Sequence, residues 1–309
     1  MNCLIIGYGS IGKRHASILR DFGHHVRIVT RRNLKYFPVH DSIGEALERE
    51  TFDYAVVSSE TSDHYRCYSE LVKSGFSGKV LVEKPVFSEL PPVLPADKGN
   101  VFIGYNLRFH PVIRKIRELF IRKPLYSIHV YAGQYLPAWR PNSDYSKSYL
   151  ASKARGGGVL KDLSHELDYV TWIAGDWKRM AAIGGKYSNL AIDSEDIFSL
   201  LMETENCPVI SVQLNYLDIV TRREIIIHAQ DVSVKADLIE NTININGEIT
   251  RYSSARNLTY ALQHRAILEG NYSDLCTLNE GMNILKLIEA AVRASEQGKW
   301  IQNPDPIGK

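Results

Sequence analysis

The sequence predicts an α/β half of the doubly wound, parallel-sheet kind, followed by an α+β half with a mainly antiparallel sheet. Three observations predict it. Short apolar strands alternate with helical spacing over the first third of the 309 residues. A glycine-rich turn directly follows the first strand, and from Leu125 onward long β-rich runs crowd together. The length suits two buried cores, placed at residues 1–118 and 119–309.

Asn2–Ile6 is an apolar strand. Lys13–Phe22 has helical spacing with Ile18, Leu19 and Phe22 on one side. Val26–Thr30 is β-rich, Ser42–Arg49 helical, Tyr54–Val57 a third strand, Asp63–Ser74 a helix and Lys79–Val82 a fourth strand. Strands separated by helices imply right-handed crossovers and a parallel sheet. Leu90–Pro95 breaks the alternation, because Pro91, Pro92 and Pro95 would each cripple a helix interior. That segment reads as a loop or collapsed crossover before a strand at Val101–Tyr105, and Pro111–Phe120 reads as a helix linking the halves. Strands then follow at Ser127–Tyr135, Arg179–Tyr187, Ile197–Glu203, Val209–Leu217, Arg223–Ala236 and Thr242–Ile249, with Asn246-Gly247 as a hairpin signal. Helices near Thr259–Leu268 and Leu278–Glu296 close the chain, the last one ended by Gly298.

Composition narrows the function. Apolar residues make up 44%, charged residues 23%, and the net charge is +2, which gives no reason to expect nucleic acid or an anionic membrane as partner. No apolar run approaches the ~20 residues that span a bilayer, and the N-terminus enters a strand without a signal-like stretch, so the expected location is the cytoplasm. Cys3, Cys67, Cys207 and Cys276 are too scattered for a metal or redox motif, and no metal is expected.

Gly7-Tyr8-Gly9-Ser10-Ile11-Gly12 is a G-x-G-x-x-G lying between a strand and a helix, the context its mechanism requires. Gly7 allows the tight turn, Gly9 lets backbone approach a pyrophosphate, and Gly12 lets helix and strand pack closely. Ser10 and Ile11 would then present the helix N-terminus to phosphates; a glycine-rich turn without a ligand is the alternative. The next strand ends Thr30-Arg31-Arg32, where an NAD site usually carries a carboxylate for the ribose 2′-hydroxyl. Two guanidinium groups suit a 2′-phosphate instead, so NADP is favoured over NAD; two solvated arginines are the plainer reading.

Glu83-Lys84-Pro85 follows Lys79–Val82. Pro85 biases Lys84 to extended backbone, which puts the ammonium at the carboxyl edge of the sheet, where α/β folds bind ligands. There it could stabilise alkoxide character on a reacting oxygen, although a strand-end surface lysine is equally in keeping with the tripeptide alone. Placing Leu160–Ala174 on one helix puts Leu163, Leu167, Val170 and Ala174 on a core-facing stripe. Asp162, His165, Tyr169 and Trp172 then share a non-core stripe. A carboxylate and an imidazole three residues apart suit proton transfer near neutral pH; by itself His165 reads as a surface or satisfied histidine.

Gly7–Gly12, Ser58–His64, Glu83–Pro85, Gly104–Phe109 and Gly156–Gly175 together resemble the glucose–fructose oxidoreductase/inositol dehydrogenase (Gfo/Idh/MocA) family. The resemblance implies a Rossmann-type domain followed by an α+β domain with a large open sheet, NADP or NAD as cofactor, and hydride transfer to or from a sugar-like alcohol or ketone. It makes Lys84 catalytic and gives His165 and Asp162 the other acid/base roles. It sets Glu83 and Pro85 beside the nicotinamide, and Ser58, Thr61, His64 and Arg108 among the cofactor contacts. Relatives space the Asp and His four apart, whereas Asp162 and His165 are three apart, so His165 is the firmer carry-over. Ser88–Asn100 is also shorter than the helix usual in relatives.

Gln134–Lys153 carries Tyr135, Trp139, Arg140, Tyr145 and Tyr149. Aromatic faces suit sugar rings, and Arg and Tyr supply polar anchors; a surface loop pinned by aromatics is the alternative. The loop resembles that of relatives in surface-sugar pathways, which implies a modified or nucleotide-linked sugar. The resemblance also implies a homo-oligomer. Rival functions within it are an NAD-dependent glycoside hydrolase, a non-catalytic NAD(P)- and sugar-binding regulator, and an NADPH-dependent imine or double-bond reductase.

Overall fold

A computed structural model describes residues 1–95, 99–121, 123–139 and 144–304. In chain order the first elements are β1 (Asn2–Ile6), α1 (Ser10–Asp21), β2 (His25–Val29), β3 (Val39–His40), α2 (Ile43–Arg49), β4 (Tyr54–Val57), α3 (His64–Lys73), β5 (Lys79–Val82) and β6 (Val101–Ile103). Then come α4 (Pro111–Phe120), β7 (Leu125–Gly133), α5 (Val159–Asp162), α6 (His165–Ala174), β8 (Trp177–Gly185), β9 (Ile197–Thr204) and β10 (Ile210–Asn215). The remainder are β11 (Arg222–Ala229), β12 (Val232–Asp237), β13 (Thr242–Ile245), β14 (Glu248–Arg251), α7 (Leu258–Glu269), β15 (Cys276–Thr277), α8 (Leu278–Gln297) and β16 (Ile301–Gln302).

The chain divides into two compact units, one formed by Met1–Asn106 with Arg256–Leu285 and the other by Leu107–Ala255 with Lys286–Lys309. The division is therefore not a single cut after residue 118. Pro111–Phe120 packs against α6 within the second unit, and α7, β15 and the start of α8 belong to the first.

In the first unit the described strands form a seven-stranded sheet in the order β15-β6-β5-β4-β1-β2-β3. Its pairs are parallel except β15 with β6. β1, β4, β5 and β6 are buried almost throughout, as expected where helices cover both faces of a parallel sheet. Strand order reverses around β1, between β4 and β2, and such a switch point opens a crevice at the carboxyl ends of the strands. The Pro-rich segment is irregular over its described part, Ser88–Pro95. α7 is pinned to the sheet instead: Lys79 Nζ donates to Ile267 O (2.7 Å) and Leu268 O (3.1 Å), and Gln263 donates to Ile103 O (3.1 Å).

In the second unit the described strands form a nine-stranded sheet, β14-β13-β12-β11-β7-β10-β9-β8-β16, antiparallel except for β7 with β10. The single run expected over Arg223–Ala236 is two strands, because Asp231 adopts a positive φ of 59° and turns a hairpin. Asn246 (φ 51°) and Gly247 (φ 98°) turn the β13–β14 hairpin, as Asn-Gly pairs do. Among the described residues no helix is long and apolar enough to cross a membrane.

Candidate functional site

The glycine turn leaves β1 and enters α1 at the switch point. Gly7 has φ +95°, and a Cβ there would lie 2.7 Å from Ser59 N, so only glycine fits. A Cβ on Gly12 would collide with the Gly7 carbonyl, whereas one on Gly9 would meet nothing within 4 Å. The space beside Gly9 is thus open. Gly9 caps α1 without a side-chain hydrogen bond, leaving the first N–H groups of the helix to an outside acceptor. Ser10 is exposed, Ile11 half-buried. This geometry fits a dinucleotide pyrophosphate.

Ser58 closes the turn from β4, its hydroxyl donating to Gly7 O at 3.1 Å. Thr61 is buried in the 3₁₀ turn that precedes α3. His64, expected against the cofactor, is buried with Nδ1 3.0 Å from Pro85 O and Nε2 3.3 Å from Ser59 O. It ties the loop after β4 to the loop after β5, and burial pushes its pKa down despite the two facing carbonyls. Thr30 is half-buried and Arg31 exposed. Arg32 bends back so that Nη1 donates to Tyr8 O at 3.2 Å, inside the glycine turn.

Lys84 is half-buried at the carboxyl end of β5, and its peptide to Pro85 is cis. Glu83 is buried, and its Oε2 accepts the Lys84 N–H at 3.1 Å. A Cβ on Gly104 would lie 2.9 Å from that carboxyl carbon, so a glycine is what leaves room for it. Burial pushes Glu83 up, but the His15 hydrogen bond, with the Lys84 charge and N–H, outweighs burial and holds it below the usual carboxylate value.

In the second unit the expected single helix from Leu160 to Ala174 is two. α5 ends at Asp162, Leu163 leaves helical geometry (φ −100°, ψ 29°), and α6 starts at His165. The stripe that joined Asp162 to His165 is therefore broken, and three of its four members, Asp162, His165 and Tyr169, are buried, while Trp172 is half-buried. The core stripe of Leu163, Leu167, Val170 and Ala174 is buried as expected. Asp162 is gripped by the hydroxyl of Tyr216, just past the end of β10. Glu166 is fully buried against Arg223 of β11, Nη2 to Oε2 3.0 Å. Arg108, expected on the cofactor, spends Nε and Nη2 on Asp168 (3.0 and 2.7 Å) in an ion pair with both side chains almost wholly buried. Its planar fork matches a carboxylate with two bonds, which explains arginine here without a ligand.

Of the aromatic loop, Tyr135 is exposed and Trp139 is half-buried, edge-on to Tyr216 with centroids 5.5 Å apart. Tyr145 accepts the Ala191 N–H at 3.1 Å, Tyr149 is half-buried, and Arg140 lies outside the described residues. Tyr216, Glu166 and Arg223 were not legible as a set, since their pairing depends on sheet register; Tyr54, His15 and His264 escaped because they come together only where α7 docks on α1 and β4.

Residues 1–92 match the family model described as an oxidoreductase family, NAD-binding Rossmann fold, and residues 121–302 match that family's C-terminal alpha/beta domain. The chain belongs to the Gfo/Idh/MocA oxidoreductase family. Among solved structures, this family member is similar to GenD2 from gentamicin A biosynthesis in complex with NAD, at 20% identity and TM-score 0.79, covering 99% of this chain and 97% of that one. It is similar to a levoglucosan dehydrogenase in complex with NADH at 14% identity and TM-score 0.84, with 99% of each chain covered. It is also similar to the WlbA dehydrogenase of Bordetella pertussis, in complex with NADH and UDP-GlcNAcA, at 17% identity and TM-score 0.82, covering 99% and 98%. At these identities the likeness is one of fold. No curated protein sequence matches the chain.

Proposed function

We propose that this oxidoreductase moves a hydride between a nicotinamide cofactor and a carbinol or ketone carbon of a sugar or nucleotide-linked sugar. The observation that carries the reading is the open, uncapped turn at Gly9 in the same unit as the buried Glu83 carboxylate that fixes the Lys84 backbone. Gly7, Gly9 and Gly12 with the Ser10 and Ile11 N–H groups would hold the pyrophosphate, and Ser58 braces that turn from behind. When bound, the nicotinamide supplies hydride acceptance or donation. Lys84 steadies the reacting oxygen, an ammonium being able to hydrogen-bond developing alkoxide. His165 takes the hydroxyl proton on oxidation and returns it on reduction. Asp162 is held through Tyr216 and shapes the surroundings of His165. Tyr135, Trp139, Tyr145 and Tyr149 serve the sugar side; the solved structures bound to levoglucosan and to UDP-GlcNAcA support a sugar ring as the substrate class.

NADP(H) is the favoured form. The β2 end carries no carboxylate, and Arg32 already stands against the glycine turn. The protein acts as a homo-oligomer.

A panel of sugars and sugar nucleotides, followed at the reduced-nicotinamide absorbance with both cofactors, tests the reading. Net NAD(P)H formation is expected. Glycoside cleavage with no net reduced cofactor would move the assignment to a hydrolase using transient oxidation, and binding without turnover would move it to a regulator.

A further inference from the structure

A row of four buried polar side chains runs through the first unit and ends on the carboxylate beside Lys84. Tyr54 of β4 lies with its hydroxyl 2.9 Å from His264 Nδ1 of α7. His264 Nε2 lies 2.8 Å from His15 Nδ1 of α1, and His15 Nε2 lies 2.8 Å from Glu83 Oε1. Tyr54, His264 and His15 have no exposed surface, and Glu83 is 7% exposed. Four polar groups at this depth are costly unless each is satisfied.

Their donors can be counted. A carboxylate only accepts, so His15 carries its proton on Nε2 and donates to Glu83. Nδ1 of a neutral His15 then accepts, which requires His264 to donate from Nε2. His264 Nδ1 accepts in turn, and the Tyr54 hydroxyl donates to it. Every bond points the same way, from phenol to carboxylate, and Glu83 uses its other oxygen for the Lys84 N–H. Reversing one tautomer sets two donors or two acceptors against each other somewhere in the row. Burial, the dominant cause, pushes His264 well below its usual pKa, keeping it neutral.

The glycine turn does not need this row, and neither does the sheet. α7 is already anchored by Lys79 and Gln263, and Asn106 donates to Thr259 at its first turn, 2.6 Å. An apolar contact would fill the space at lower cost, as buried ionic groups often add little net stability. What a carboxylate at this place does that a leucine would not is hold the Lys84 backbone and put negative charge beside its ammonium. We propose that Tyr54, His264 and His15 are positioning residues that act through Glu83 to fix the orientation and electrostatic setting of Lys84. The row delivers to Lys84 the position of α7, a helix whose sequence lies some 180 residues beyond it, so that lysine is set only when the late segment has docked. Its catalytic meaning rests on the reading of Lys84 above.

The test needs no substrate. In protein labelled with 15N-histidine and free of ligand, His15 and His264 are expected as Nε2–H tautomers. Tyr54→Phe removes the first donor and is expected to leave the proton on His264 Nε2, bonded to His15, while shifting the 15N signal of the His264 Nδ1 that has lost its donor. Reductive 13C-methylation gives Lys84 its own NMR signal, assigned by its loss in Lys84→Met. His264→Leu is expected to shift that signal and its titration, whereas His264→Gln, whose amide can still donate to His15, restores both. Should His264→Leu fail to fold, Tyr54→Phe, which is also expected to shift the Lys84 signal, still decides the matter. Predominant Nδ1–H on either histidine in the native protein, or a Lys84 signal indifferent to Tyr54→Phe and to His264→Leu, overturns the proposal. On a substrate found by the panel above, Tyr54→Phe is expected to lower kcat by about tenfold with KM little changed, as small misplacements of a reacting group do. Normal turnover by Lys84→Met alongside the expected tautomers would sink the functional reading and leave the row standing.

Discussion

Lys84 and His165 carry the sharpest consequences at the scale of single residues. Replacing Lys84 by Met is expected to abolish turnover while cofactor affinity, measured by nicotinamide fluorescence, stays within a few-fold. Retained turnover would remove the lysine from the mechanism. His165→Asn keeps a polar side chain of similar size but cannot take up a proton near neutral pH, so kcat should fall by about 100-fold or more. Arg31 and Arg32 divide the cofactor question. If their guanidinium groups bind a 2′-phosphate, the Arg31→Ala, Arg32→Ala double variant should weaken NADP binding by about 10- to 100-fold, the worth of hydrogen bonds to a charged group, and leave NAD binding nearly untouched. Tighter native binding of NAD than of NADP in the same titration would reverse the cofactor assignment.

The break between α5 and α6 decides how the elements of the second unit carry their charged groups. A continuous helix would have turned Asp162 and His165 to one face. Instead α6 presents Glu166 and Asp168 inward to Arg223 and Arg108, with the Arg108 guanidinium also over the Trp172 ring, 5.2 Å from its centroid. These ion pairs hold α6 within its unit, and breaking one leaves a buried charge without its partner. Asp168→Asn should therefore cost about 3–5 kcal/mol, read as a lowered urea midpoint with an unchanged slope. A loss within ordinary surface-substitution range would mean that Arg108 finds another partner and is available for other work. The spacing of apolar residues showed a helix here, and showed its buried side, because Leu163, Leu167 and Val170 obey the helical period. It could not show the interruption at Leu163, beside the point where Tyr216 reaches Asp162 from the sheet.

The pH response belongs to the whole molecule. His64 and His264 are pushed below the usual imidazole value chiefly by burial, and His110 is pushed down to about 4, also by burial. The unfolded chain protonates these groups near 6.5, whereas the folded one resists. The unfolded state thus binds more protons between that value and the folded pKa, and stability falls as pH drops through the interval. Each unit of depression corresponds to about 1.4 kcal/mol per group. Glu83, depressed below the usual carboxylate value, adds its own loss only at more acid pH, as the solution approaches its folded pKa. Thermal midpoints should be flat from neutral pH down to roughly 6.5 and decline steadily towards 4. A flat profile across that window would show that these histidines are not held neutral.

The amino-acid sequence by itself determined the alternation of strands and helices, the glycine turn between β1 and α1, the strand that delivers Lys84 and the change of character after Leu125. Each of these is written in local spacing: period 2 or 3.6, a proline that forbids a conformation, a glycine that permits one. Tertiary structure alone decided that α7 returns to the first unit, that His264 and His15 meet above Glu83, that Arg108 is consumed by Asp168 and that Tyr216 takes hold of Asp162. Those are contacts between residues from 54 to 249 positions apart, and the energy that selects them is the cost of burying a polar group without a partner. That cost has no period along the chain, because it is felt only once the partner has been brought within hydrogen-bonding distance.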